Sequence, residues 1–190
     1  MKNRFIKTFL ALVLIAVIAI STVGCGAPDT ETATSLVKDL VTQSYELNEI
    51  YFGEGLKWRD SGNPNDVYVP VLETEKYILK SALVERTREI FSESLSYSII
   101  DMSFYGVQSE INVDSVQSRY MVNGDDDYLY VNRNYEPVVE KVAEFNYDTI
   151  AFTKISRRFI VATIETTTGE AVSITLVNER NGWRLDSYTC

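Results

Sequence analysis

The chain contains no histidine. Ser–His–Asp and Cys–His catalysis need an imidazole that exchanges a proton near neutral pH, so both are excluded in their usual forms. The commonest zinc ligand is absent for the same reason. Cysteine is nearly absent too, with only Cys25 and Cys190. If Cys25 is used as argued below, Cys190 alone cannot build a thiolate site or an internal disulfide. Cys190 is left as a free thiol or an intermolecular link. No GxGxxG and no phosphate-cradling glycine loop with lysine occurs. Gly53-Glu54-Gly55 follows a helical pattern instead of a strand and reads as a helix stop. No metal and no cofactor is implied. Positive charge is scarce, with 18 Lys and Arg against 27 Asp and Glu. Residues 1–24 hold three of the basic residues and no acidic one, so the remainder has 15 against 27, a balance of −12. Phosphate binding needs a basic footprint, so this balance argues against nucleic acid as a partner. The same balance argues against a polybasic membrane patch. An acidic surface suits solubility or a basic partner.

What is present begins with Lys2, Arg4 and Lys7, followed by an uncharged apolar stretch from Thr8 to Val23. Its solidly apolar part, Phe9 to Ile20, has the length of a signal core. It is shorter than the ~20 residues of an ordinary spanning helix. Small residues Ser21, Thr22 and Gly24 precede Cys25 and let a peptidase approach the backbone. Val23-Gly24-Cys25 resembles the end of a bacterial lipobox, with Thr22 where an aliphatic residue is usual. The resemblance implies cleavage before Cys25 and acylation of that residue, placing the domain at the cell membrane on its extracytoplasmic face. An uncleaved anchoring helix, or ordinary cleavage leaving a plain thiol, are the alternatives.

The organisation expected is a signal over 1–24, a lipid attachment and tether over 25–34, and one domain over 35–190. Leu36, Leu40, Leu47 and Tyr51 share one helical stripe, with Thr34 or Ser35 as N-cap and Gly53 and Gly55 as the stop. Residues 57–71 are rich in turn formers, and Pro70 bars a central strand there. A second helix is expected from Thr74 to near Tyr97, with Leu79, Ala82, Leu83, Ile90 and Phe91 buried. Ser118, Tyr120 and Val122 alternate with Arg119 and Met121 as in a half-buried strand, and Tyr128–Val131 answers across the Asn123–Asp127 turn. Residues 135–146 fit a short helix begun at Pro137 and equally an edge strand. Thr149–Ser156, Phe159–Thr166, Ala171–Asn178 and Trp183–Tyr188 read as antiparallel strands joined by short turns. The fold class is α+β: two N-terminal helices packed on a curved antiparallel sheet.

Few groups suggest chemistry. Glu54 with Asp60, or Asp101 with Glu110, would make a carboxylate pair only if folding brought them together. Otherwise they are solvated surface charges. Asp125-Asp126-Asp127 lacks the alternating ligand spacing of a calcium loop and reads as a solvated turn. The aromatics are more informative. Tyr51, Phe52, Trp58 and Tyr68 surround the irregular segment, and Phe104 and Tyr105 follow the second helix. Tyr and Trp combine an apolar ring with a polar tip, which suits an interface as well as a core. Tyr51, Trp58, Tyr68 and Tyr105 are the candidate binding surface.

The closing Asn181-Gly182-Trp183-Arg184-Leu185-Asp186 resembles the Gly-Trp-x-aliphatic strand of cystatin-like and nuclear transport factor 2-like domains. More narrowly, Tyr51-Phe52-Gly53, Tyr68-Val69-Pro70-Val71, the Thr74 helix start, Ile90-Phe91-Ser92 and Gly182-Trp183-Arg184-Leu185 resemble the secreted DL-endopeptidase inhibitor family of bacteria. The first resemblance implies a cone-shaped sheet over helices. The second implies a chain that binds and blocks a cell-wall hydrolase without catalysis of its own. The leading expectation is therefore a non-enzymatic, lipid-anchored module that binds an envelope protein. A small-molecule binder for wall fragments or lipids, with a cavity between helix and sheet, is the first alternative. A carboxylate-dependent hydrolase is the second. Mass spectrometry of the chain isolated from its native membrane is expected to find an acylated N-terminal Cys25; an intact Met1 without acyl mass would remove the anchor.

Overall fold

In a computed structural model the described residues are 26–106, 118–124, 126–139 and 142–189. The expected signal over 1–24 and the expected acylation site Cys25 lie outside them, as do Cys190, Glu110, Asp125, and Val116 and Gln117 from the start of the expected alternating strand. Three helices are present among the described residues: α1 (Thr30–Tyr51), α2 (Lys80–Ile90) and α3 (Glu93–Tyr105). The strands are β1 (Tyr68–Pro70), β2 (Tyr120–Val122), β3 (Leu129–Asn132), β4 (Phe145–Ile155), β5 (Phe159–Thr166), β6 (Ala171–Glu179) and β7 (Gly182–Leu185). They form two antiparallel sheets, β1-β3-β2 and β4-β5-β6-β7, where a single sheet was expected. The α+β class stands. Pro70 is accommodated because β1 is an edge of the small sheet's named strands, where a missing N–H costs no ladder bond.

Helix α1 starts earlier than its apolar stripe suggests. Asp29 is the N-cap: its carboxylate accepts from the Thr32 amide at 2.8 Å, and Glu31 adds negative charge at the dipole's positive end. The expected tether therefore shortens, since Ala33 and Val37 are already buried. The second predicted helix is two. A turn involving Leu72 and Glu75 replaces its first residues, and the chain breaks at Phe91-Ser92 before running on to Tyr105. There Phe91 pairs with Leu185 of β7, and the Ser92 amide donates to the Leu185 carbonyl at 2.7 Å. Ser92 also caps α3, its hydroxyl accepting from the Leu95 amide at 3.1 Å. A side-chain cap and a strand-edge bond compete with helix continuation at one residue, and together they win. The residues of 135–144 that are described form neither helix nor strand.

Both sheets turn one face to a shared core. In the large sheet Ile160, Ala162, Ile164, Ile174, Leu176 and Leu185 are fully buried; from the small one Tyr120, Leu129 and Val131 are buried in the same cluster. Leu47, Leu83, Ile90, Phe91 and Ile99 pack from the helices. Each such side chain contributes about 1.5–3 kcal/mol on leaving water.

The C-terminal end of α1 joins helix to small sheet. A helix leaves its last four carbonyls without helical partners, and α1 has no basic residue in its last turn. The partners come from residues 119–139. The Tyr120 hydroxyl donates to the Ile50 carbonyl at 2.6 Å. The Arg119 guanidinium donates to the Tyr51 carbonyl at 3.2 Å and to the Gly53 carbonyl at 2.6 Å. The Val138 and Val139 amides share the Phe52 carbonyl. Strand alternation had set Arg119 opposite Tyr120, on the solvent side; it is instead only 3 % exposed. Burying the guanidinium is tolerable because two carbonyls at the dipole's negative end receive it and the Tyr135 ring lies 5.0 Å away. Gly55 makes room: its φ is +86°, and a Cβ there would sit 2.2 Å from Arg119 Nη2. Arg119→Met and Gly55→Ala are each expected to lower stability by about 3 kcal/mol in urea unfolding, with the pair clearly less than additive. Full additivity would mean the two positions are not one joint.

Candidate functional site

Tyr51 is 2 % exposed and forms core, so it leaves the candidate surface. Its hydroxyl donates to Thr87 Oγ1 at 2.7 Å, because the Thr87 hydroxyl is itself committed to the Leu83 carbonyl. Phe52 and Phe104 are core as well. Trp58, Tyr68 and Tyr105 keep surface.

Tyr68 belongs to the small sheet, and Trp58 adjoins it through an isolated bridge. Register pairs Tyr68 with Asn132, and Pro70 and Met121 with Tyr130, so these side chains share the face opposite the core. Tyr128, two residues before Tyr130, points the same way and is exposed. Tyr68 is held rigidly, its hydroxyl bonded to the Ser118 carbonyl and Oγ at 3.0 and 2.8 Å. A groove of about 480 Å³ runs over this face between Arg59, Glu73, Ile78, Tyr128 and Tyr130. Trp58 borders it by pairing with Val71, one of its lining residues.

Tyr105 lies on a second groove, of about 740 Å³, between α2, α3 and the β6–β7 turn. Tyr97, 72 % exposed, and Tyr105, 62 % exposed, stand two turns apart on α3 with Asp101 between them. Lys80 reaches across with its ammonium 4.6 Å from the Phe104 ring and 5.8 Å from Tyr105. The start of α2 connects the grooves. Leu79 pairs with Tyr128, and Asp127 Oδ2 takes the Ser81 amide at 3.1 Å as a cap supplied from another segment. Asp127 is exposed, as expected of the turn, and its carboxylate also caps the start of α2.

Tyr97, Tyr128 and Tyr130 were missed as surface candidates. Tyr128-Leu129-Tyr130 carried a usable signal, because period-two alternation puts both rings on the face opposite Leu129. Tyr97 had none, since its exposure depends on where α3 docks. As for the carboxylates, Asp60 accepts the Gly62 amide at 3.0 Å within its own turn, and Glu54 is exposed at the end of α1. Asp101 lines the larger groove beside Glu93 and Glu179, while Glu110 lies outside the described residues. Among the described residues no three Cys, Asp or Glu side chains are grouped to hold a metal. No described helix is long and apolar enough to cross a membrane. In comparisons with known proteins, no family model and no curated protein matches this chain.

Of the shifted tyrosines, Tyr51 and Tyr120 are buried and Tyr45 is half-buried. Tyr45 is pushed up to about 12, first by burial and then by its hydrogen-bonded pairing with the Tyr147 hydroxyl. Tyr51 and Tyr120 are raised chiefly by burial. A phenol whose folded value exceeds its ordinary 10.0 stabilises the fold fully below that pH. That contribution is lost as pH climbs through the raised value. Stability is therefore expected to fall steeply from pH ~10 to ~12, with late phenolate absorbance appearing together with unfolding. Complete titration near the ordinary value with the fold intact would contradict this.

Proposed function

We propose that the chain is a non-enzymatic, extracytoplasmic protein-binding module, anchored to the cell membrane through acylated Cys25, whose partner is a cell-wall hydrolase. The observation that carries this reading is the division of large side chains between interior and surface. The space between helices and large sheet, where a small-molecule binder would keep a cavity, is occupied by Leu83, Ile90, Phe91, Ile99, Ile160, Ile164, Ile174 and Leu176, all essentially inaccessible. Meanwhile Trp58, Tyr97, Tyr105 and Tyr128 are exposed along two open grooves rimmed by Arg59, Lys80 and Arg88. Tyr, Trp and Arg dominate protein-recognition hot spots because they bury much area at little rotamer cost. An acidic exterior complements a basic partner and speeds encounter with it. The two sheets, in this reading, are halves of one cystatin-like or nuclear transport factor 2-like cone around the buried stripe of α1.

Acylated chain reconstituted in detergent is expected to retain a cell-wall hydrolase from envelope extract and to slow its turnover. Tyr105→Ala combined with Tyr128→Ala should weaken retention by about thirtyfold or more while leaving the melting temperature nearly unchanged, since both rings are exposed. Recovery of no hydrolase above background, or undiminished retention by the double variant, counts against the proposal.

A further inference from the structure

The −12 balance of the chain beyond residue 24 conceals a local reversal that only the folded sheet creates. Strands β4 and β5 are joined by Ser156-Arg157-Arg158, and β6 and β7 by Arg180-Asn181. Antiparallel pairing puts both turns at the same end of the large sheet. They are tied directly: the Asn178 amide donates to the Arg158 carbonyl at 2.8 Å, and Asn178 Nδ2 donates to the Arg157 carbonyl at 3.1 Å. Lys154, Arg157, Arg158, Arg180 and Arg184 lie in these turns or on the strand ends beside them, against Glu179 at the end of β6 and Glu93 next to it. Glu179 is engaged, one carboxylate oxygen accepting the Glu93 amide at 2.9 Å. Arg184 is braced against the Arg88 and Asn181 carbonyls, whereas Lys154, Arg157, Arg158 and Arg180 are exposed. Among them stands the exposed ring of Phe159, with the Lys154 ammonium 5.5 Å from its centre.

A second, independent observation says what faces this end. Gly26, the residue that follows Cys25, lies beside Arg157: a Cβ built on it would be 3.8 Å from Arg157 Cδ. The chain therefore enters the domain at its basic end. Asp29, the nearest acidic residue in sequence, is used as the α1 cap. We infer that the β4–β5 and β6–β7 turns form a membrane-facing surface that binds anionic lipid headgroups, with Phe159 reaching into the interface. This rests on the acylation of Cys25. It assigns the domain an orientation: the basic end lies on the bilayer, and the aromatic grooves remain open to a partner. Acyl chains supply attachment and the basic end holds the attitude, each Lys or Arg near an anionic surface adding about fivefold in affinity.

The test uses the native acylated chain on phosphatidylcholine vesicles with and without phosphatidylglycerol, read by backbone hydrogen exchange. Amides of 156–159 and 180–182 are expected to exchange at least about threefold more slowly on the anionic vesicles than on the neutral ones. Added salt should erase the difference, as should Arg157→Glu with Arg158→Glu, whose side chains are exposed and whose melting should not move. Flotation with both vesicle types but equal exchange overturns this inference and leaves the anchor standing. Failure to float with neutral vesicles removes the anchor instead. Equal slowing by a soluble acidic polymer without vesicles overturns the membrane assignment.

Discussion

The carbonyls that α1 leaves at its C-terminal end are the constraint around which this fold is arranged. Four consecutive acceptors, from Ile50 to Gly53, are met by donors that arrive from residues 119–139. An unpaired buried carbonyl costs about 1–3 kcal/mol, so the small sheet cannot drift from the helix without exposing several such costs together. Arg119 is the least expected of these donors. A buried guanidinium is expensive to desolvate, and here no described carboxylate neutralises it. Two carbonyls at the negative pole of the helix and the flanking rings of Tyr120 and Tyr135 take that place. The arrangement also explains Gly55, because the guanidinium occupies the volume of its missing side chain.

With that joint fixed, surfaces follow. The small sheet offers one face to the core and is left with Tyr68, Tyr128 and Tyr130 on the other. The α2–α3 break, held against β7 by Phe91 and Ser92, turns Tyr97 and Tyr105 outward along the second groove. Interior volume is taken up by aliphatic and aromatic side chains, and the recognition proposed above is accordingly placed on the exterior. The proposed division of labour is a basic end for the membrane and an aromatic flank for a protein.

Much of the framework was legible because it rests on local rules. The glycine stop after Tyr51 and the β4–β7 meander with its turns follow from spacing and turn chemistry, whereas the helix expected to end near Tyr97 runs on to Tyr105. Errors came where distant residues decide a local question. Phe91-Ser92 looks helical until Leu185 offers a strand-edge partner. Asp127 is solvated as its turn suggests, but its part in capping the start of α2 depends on a residue 46 positions away. Tyr51 looks like either core or cleft, and Thr87, thirty-six positions away, settles it as core.

The sequence by itself determined the α+β class, the absence of imidazole chemistry and an acidic overall balance, since these follow from composition, periodicity and turn residues. It also carried the label-like N-terminus from which export and acylation at Cys25 are proposed. Only the tertiary structure decided which aromatics are surface, that Arg119 is buried, and that two basic turns share the sheet end where Gly26 lies beside Arg157. Those outcomes depend on which strand ends become neighbours, and neighbourhood in space is a property of packing that no single stretch of chain contains.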